Sequence, residues 1–553
     1  MEQRARDVVK LGDKLFDSKR QVDNLWQEIA LNFYPERADF TAKRNEGEEF
    51  SDHLFSSFPV LARRELGNTL SSYLYSRSQK RFSIHVADDE LDKGDAEREF
   101  LERLTDIQWK AMYDSPAMLS DTMKMTGHDF AAFGNAVIKY GLNSAGDGLL
   151  FRNYHLRDNA WSENAEGKID CDHRNWEPTA RQLGNTFPKT ISKEVTRALT
   201  KDPEKPFKCR HVVLPSRIYK TDSKGGKQFP FTSLYVECES EQVLEEVGLN
   251  YFCYVIPRWH KVSAFGSSMA TSIALPDGRT QQVVIRTLRE AGEKFADPPM
   301  IAVGDAIRGD IALYAGGVTQ ADAEYDEKTG EVLRPISQDR SGYPIAVEVA
   351  QALREDIRSA FFLDKIQLPE TGKEMTAYEM RRRFEEHIRA QTPIFDPIEE
   401  QVAPLYEGVF DLMRENGAFA ARYAGPMPES LDNSEAKFSF FSPLSDMADQ
   451  RDAEIYLDVR DRIIAPAAQI DPSQLEQVDW TEATRDAMRA GGWKAKWFKP
   501  KDAVEKRQQE MAKAAAMQKG AEALATAGTV AEQGGKGMKE IQEAMMPGGG
   551  AGG

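Results

Sequence analysis

The sequence predicts an α+β protein that is predominantly helical, and three observations carry that prediction. Apolar residues recur at helical spacing through most of residues 1–134. A β-type pattern with turn residues replaces them from Asn135 to Trp259. Two strong amphipathic helices then bracket a short β excursion. With 553 residues the chain can hold several cores, because single cores rarely grow past about 250–300 residues.

In the first region Leu15, Val22, Leu25, Trp26, Ile29 and Phe33 mark a helix that Pro35 stops. Leu54, Leu61, Leu66, Leu70 and Leu74 mark a second. A third is expected over Asp92–Tyr113 and a fourth over Ser120–Phe133. From residue 135, Ala136–Tyr140 and Leu149–Tyr154 flank Gly146-Asp147-Gly148, which reads as a hairpin turn. Further strands are expected at Lys168–Arg174, His211–Leu214, Leu234–Cys238 and Tyr251–Ile256. Short helices at Thr179–Leu183 and after Ser192 interrupt them.

The centre has a different design. Arg279–Phe295 sets Val284, Leu288, Ala291 and Phe295 on one helical face, and Pro298-Pro299 ends it. Strand and turn signals fill Met300–Tyr343. Pro344 then opens a helix in which Val349, Leu353, Ile357 and Phe361 repeat every four residues. Together these make a stalk of two helices with a β tip. The connection that follows, Asp364, Lys365, Ile366, Gln367, Leu368, Pro369, Glu370, Thr371, Gly372, Lys373 and Glu374, is longer than the usual two to eight residues of a helix–helix loop, which marks it as functional. Thr376 and Glu379 form a capping box for a long helix that Pro393 kinks; Asp396-Pro397 restarts it and Asn416-Gly417 stops it. A short strand at Phe438–Phe441 and further helices come next. Residues 502–546 are rich in Ala, Gln, Lys and Glu, and the glycine-rich tail 547–553 is expected to be disordered.

Composition narrows the chemistry. A net charge of −17 argues against a conventional basic DNA-binding face, yet an acidic wall would let a duplex slide past without sticking. No apolar run approaches the roughly 20 residues of a membrane span, and Met1–Lys10 lacks the apolar core of a secretory signal, so a product made in the cytoplasm is expected. Cys171, Cys209, Cys238 and Cys253 read as reduced, packed thiols. Cys171 and His173 could ligate a metal, but no second pair follows at ligand spacing. Lys168, Lys227, Lys373 and Lys536 follow glycine, but none precedes Ser or Thr, so there is no phosphate-cradling loop of an ATPase. No His-Glu-x-x-His motif or Gly-x-Ser-x-Gly elbow appears. The most suggestive histidines, His128, His211 and His260, lie far apart in sequence. Arg381-Arg382-Arg383 spread about 100° per residue around a helix, which precludes one basic stripe. No cofactor and no enzymatic activity are expected.

The order of several segments resembles the head-to-tail connector, or portal, proteins of short-tailed podovirus-type bacteriophages. Trp26-Gln-Glu-Ile-Ala with Tyr34-Pro35 looks like that family's opening helix, and Ala62–Thr69 with Leu74 and Arg81-Phe82 like its second. Glu166-Gly-Lys-Ile-Asp170 through Thr179-Ala-Arg-Gln-Leu183 is similar to its central β segment. Pro257-Arg-Trp259 through Ala274-Leu-Pro276 is similar to the lead into its first stem helix. The most specific match is Met375-Thr-Ala-Tyr-Glu-Met-Arg381, followed by Pro404-Leu405 and Phe410–Gly417.

The resemblance implies a subunit of a homododecameric ring with wing, stem, clip and crown parts. In this sequence the wing would comprise a helical part, 1–134, and an α+β part, 135–277. The first stem helix would be 278–298, the clip 299–343, and the second stem helix 344–363. A tunnel loop at 364–374 would line the DNA path. The long kinked helix with its return strand would cover 375–450 and a helical crown 451–546. Val284, Leu288, Phe295, Val349, Leu353 and Ile357 would pack the stem, and Lys365 and Lys373 would meet DNA phosphates. The implied partners are double-stranded DNA, the terminase packaging motor, a tail adaptor, and capsid and scaffolding proteins, at the portal vertex of the virion and with no membrane. The competing readings are another ring-forming virion protein, such as a tail adaptor or tube subunit, and a metal-dependent nuclease.

Overall fold

The computed structural model of the chain describes residues 2–42, 44–45, 47–75, 80–86, 95–219, 229–261, 263–296, 300–302, 333–335, 342–366, 400–431, 436–440, 455–466 and 479–491, with isolated positions at 386, 398, 493, 497 and between 504 and 517. The Thr376–Glu379 cap, Gln367–Lys373 of the connection and the tail from 547 lie outside the described residues. The chain divides into two compact units. The first comprises 1–84, 104–425 and 438–447, and the second 85–103, 426–437 and 448–553.

The first unit is built on α1 (Glu2–Phe33), a helix of 32 residues and about 48 Å. Its buried positions Ala5, Val8, Lys19, Trp26, Ile29, Ala30 and Phe33 fall three or four apart or on multiples of that spacing, the mark of a helix seated along one side. Pro35 opens a single 3-10 turn and ends α1 where the sequence places the stop. Next along the chain come α2 (Phe58–Leu74), the strand β1 (Phe82–Val86), α3 (Asp95–Met112) and α4 (Leu119–Phe133), of which the end of β1 and the first half of α3 belong to the second unit. The strand β1 corrects the expectation of an all-helical start. Phe82, Ile84 and Val86 are buried at alternate positions, a period of two hidden among longer helical patterns. The helices α2 and α4 touch through Gly67 and Gly127: a Cβ on Gly127 would stand 2.9 Å from the Gly67 carbonyl oxygen.

The hairpin forms between β2 (Val137–Leu142) and β3 (Leu149–Tyr154), with Gly146 at φ +76° in the turn. A five-stranded antiparallel meander follows in sequence order: β4 (Asn159–Glu163), β5 (Ile169–Trp176), β6 (Cys209–Pro215), β7 (Phe231–Glu237) and β8 (Gln242–Leu249). Between β5 and β6 the chain forms α5 (Ala180–Thr186) and α6 (Lys193–Lys201). A capping box between Thr179 and Gln182 starts α5, and Ser192 caps α6. After β6 comes one helical turn, α7 (Ser216–Tyr219). The expected strand at 251–256 shrinks to β9 (Tyr254–Val255), which pairs with β2. Neither β4 nor β8 is anticipated. Each pairs on one side only, and the burial of β8 does not alternate cleanly, so periodicity gives it no signal.

One face of the meander carries Cys171, Val212, Leu214, Leu234 and Val236 against Ala5 and Val8 of α1. At one end of the meander Cys209 and Leu244 meet Ala180, Leu183, Phe187, Val195 and Ala198 of the α5–α6 lobe. The centre of the unit is aromatic: Trp26 has Phe40, Phe133, Trp161 and Phe265 within 5.6–6.4 Å of its ring. Further along, a two-stranded ribbon pairs β10 (His260–Lys261) with β11 (Gly266–Ser267), and then α8 (Met269–Ala296) begins.

In the second unit, a helix at 455–466 with a π-helical stretch at Val459–Ile464 packs against the helix Trp480–Ala490. The Tyr456 and Thr484 hydroxyls are hydrogen-bonded at 2.6 Å. Ile455, Tyr456, Val459, Ile464, Trp480 and Ala483 line an apolar cavity of about 340 Å³ between them.

Candidate functional site

The long helix α8, with 28 residues and a length of about 42 Å, buries side chains only over its first half, with Gln282 hydrogen-bonded to the backbone of Phe55 and Ser56 just beyond. Ala270, Thr271, Ala274, Leu275, Gly278 and Gln281 are buried, and no residue from 282 to 296 is. Alongside α8 runs α9 (Gly342–Ala360), whose ends are set by Pro344 and by the turn at Phe362. The two helices pack along their lengths, and near their far end the rings of Phe295 and Tyr343 meet edge-on at 5.5 Å. There Met300–Ala302 (β12) and Leu333–Pro335 (β13) pair antiparallel, closing the excursion between them.

Val284, Leu288 and Phe295 are half-buried on α8. On α9 Leu353 is half-buried and Ile357 fully buried, whereas Val349 is 42% exposed and its neighbour Ala350 is buried. A strict four-residue repeat drifts about 40° per step around a helix of 3.6 residues per turn. Counting back from Phe361 therefore carries Val349 off the covered face. Ile273, Val283 and Ile345 are also exposed, at 62–65%.

The connection after α9 starts from a fixed point. Ile357, Ala360, Phe361 and Leu363 are buried, Phe361 lies 5.4 Å from the Phe33 ring and Phe362 lies 6.2 Å from Trp259. Phe362 takes a left-handed backbone (φ +58°), and the chain restarts as a single helical turn, α10 (Leu363–Ile366). The first residues of the expected loop, Asp364–Ile366, are thus helical. Asp364 accepts a 2.7 Å hydrogen bond from Arg358 Nε, while Lys365 is exposed with its ammonium 5.6 Å from the Phe362 ring.

The polar seam on the other face of the meander is not foreseen from sequence. Asp172 on β5 is fully buried and neither carboxylate oxygen has a hydrogen-bond partner among the described residues. Burial drives its acid up to about 8, against the pull of Lys19, Arg174 and Lys139. His211 Nδ1 lies 2.6 Å from the Tyr254 hydroxyl and Nε2 lies 2.9 Å from that of Ser233; Lys139 donates to the Tyr235 hydroxyl at 2.9 Å. Lys19, itself buried, donates to the carbonyls of Leu156 and Asn159 at 2.6 Å each. Alternation on β5 puts Asp172 and Arg174 here and turns Cys171 and His173 the other way, toward α1. Burial, then the charge of Arg210, lowers His173 to about 3, and burial raises the Cys171 thiol to about 12. His128 packs on Gly67, where burial and then Arg63 lower it to about 4, and His260 is exposed. The structure brings none of His128, His211 and His260 together, and among the described residues no three His, Cys, Asp or Glu side chains converge as metal ligands. No described helix is long and apolar enough to cross a membrane.

No curated protein matches the chain. The profile of the bacteriophage head to tail connecting protein family, however, matches residues 6–498, which takes in both stalk helices and the anchored turn between Phe361 and Ile366. On that match across most of its length, the chain belongs to the family of bacteriophage head-to-tail connecting proteins.

Proposed function

We propose that the chain is one subunit of a dodecameric portal ring through which double-stranded DNA enters the phage head and later leaves. The stalk carries this reading. Beyond Gln281 the α8–α9 pair has few buried residues and keeps Val283, Ile345 and Val349 exposed, apolar surface that a neighbouring copy would cover. One subunit cannot enclose a duplex, so copies must close around it with cyclic symmetry. The stalk is then the stem and the excursion 299–343 the clip that meets a tail adaptor. Residues 1–277 with 375–450 form the wing, and 451–546 the crown. The ring docks the terminase motor and joins capsid and scaffolding proteins at the portal vertex. Its role is passive, with no catalysis and no cofactor.

In this arrangement 364–374 is the tunnel loop, and it leaves the rigid anchor at Phe361 and Leu363 to reach the DNA path. Contacts there are sequence-independent and made to phosphates. Purified protein viewed by negative-stain electron microscopy is expected to form rings with a central hole, and a monodisperse monomer would end the proposal. Lys365→Ala combined with Lys373→Ala is expected to leave rings intact and to lower DNA packaging or retention; unchanged packaging removes those two residues from the path. No divalent-metal-dependent cleavage of DNA is expected from the purified chain.

A further inference from the structure

The lobe helix α6 carries Lys193, Arg197 and Lys201 at successive four-residue steps, and all three are exposed. Residues four apart share a face, so these cations form one stripe about 12 Å long. Among the described residues none of the three has an ion-pair partner. The helix at 400–415 (α11) carries the opposite pattern. Glu407, Asp411 and Glu415 follow the same four-residue step over the same length of about 12 Å, and Glu400 extends the face by two turns. Glu407 and Glu415 are exposed and Asp411 is half-buried. This stripe is only partly compensated. Arg414 reaches Asp411 at 2.8 Å, Asn250 donates to Glu415 at 2.5 Å, and the charge of Lys168 acts on Glu407. Burial, then the charge of Asp411, raises the Glu407 acid, and burial raises that of Asp411.

Like charges four apart on a helix repel one another. Each stripe therefore weakens its own helix; among the described residues the basic stripe has no ion-pair partner, and the acidic stripe is offset in part by Arg414, Asn250 and Lys168. Both stripes belong to the same compact unit, and they match in length, step and opposite sign. We propose that the Lys193–Arg197–Lys201 stripe of one copy docks on the Glu407–Asp411–Glu415 stripe of the next copy of this chain. Such a contact is heterologous, head to tail, which is the type of interface that closes a ring. The inference rests on the ring reading above and names the polar part of its subunit interface.

The test uses full-length protein and two charge-reversed chains. One carries Lys193→Glu, Arg197→Glu and Lys201→Glu, the other Glu407→Lys and Glu415→Lys, the two more exposed members of the acidic stripe. Native mass spectrometry and sedimentation read the assembly state, and circular dichroism checks that each chain folds. Each reversed chain alone is expected to lose at least tenfold of its ring yield at a concentration where the natural sequence assembles. An equimolar mixture of the two is expected to recover rings in which they alternate, because every junction then joins opposite charges. A chain carrying all five substitutions should also assemble. A local folding defect gives no rescue on mixing, so failure of both the mixture and the five-substitution chain overturns the pairing. Normal assembly of the reversed α6 chain also overturns it. If that chain assembles normally but no longer retains a duplex DNA fragment, the stripe is a phosphate contact and the inference is equally overturned. A natural chain that stays monomeric under all conditions overturns the ring reading itself, which separates the two failures.

Discussion

Asp172 shows how a single residue couples this fold to pH. Its acid is raised to about 8 from an ordinary value near 3.8, so the native state holds a proton that the unfolded chain releases. That linkage stabilises the fold fully below about pH 4 and is lost as pH rises toward 8. His128 and His173 work in the other direction. Lowered to about 4 and about 3, they contribute stability that is complete above about pH 6.5 and is lost as pH falls through their folded values. Asp172→Asn is therefore expected to flatten the decline in stability between pH 4 and 8 by up to about 1.4 kcal/mol per pH unit, read from urea midpoints across that range. An unchanged slope would show that Asp172 ionises normally. At the α2–α4 contact, a methyl group on Gly127 would press the Gly67 carbonyl at 2.9 Å and crowd the Ser71 hydroxyl. Gly127→Ala should cost about 1–3 kcal/mol, visible as a lower Tm, while a neutral result would mean that the two helices separate without penalty.

At the scale of the element, the stalk divides its apolar residues between two tasks. Ile357 is fully buried, so Ile357→Ala should destabilise the isolated subunit by about 2–5 kcal/mol in chemical unfolding. Val283 and Val349 are 65% and 42% exposed, and Val283→Asp with Val349→Asp should leave subunit unfolding nearly unchanged while reducing ring yield in sedimentation. A double variant that still forms rings in full yield would assign the subunit contact to other surfaces. The element scale also shows what is legible locally. Helices α2, α4 and α9 fall within a few residues of their expected spans, and α1 ends where Pro35 stops it although it begins well before its first marker, Leu15, because period, prolines and caps are written in neighbouring residues. Val349 is the exception on α9. Its place depends on which way the helix is turned by Phe33 and Phe361, partners more than 300 residues apart.

For the whole molecule, two compact units imply more than one cooperative transition. Differential scanning calorimetry is expected to resolve at least two, and a single transition with equal calorimetric and van't Hoff enthalpies would contradict that. The sequence by itself determined the α+β character, the stalk with its β tip and the membership of a connector family, because those are carried by local periodicity, by turn residues and by the order of segments. It also held the step of the α6 stripe, though not the fact that this face is open to solvent. Only the tertiary structure decided that β4 and β8 complete the meander, that Lys19 and Asp172 are buried within the first unit, and that Cys171 and His173 face away from the polar seam. The reason is physical. A helix is specified by residues three and four apart, whereas strand pairing and the burial of charge are fixed by residues brought together from distant parts of the chain.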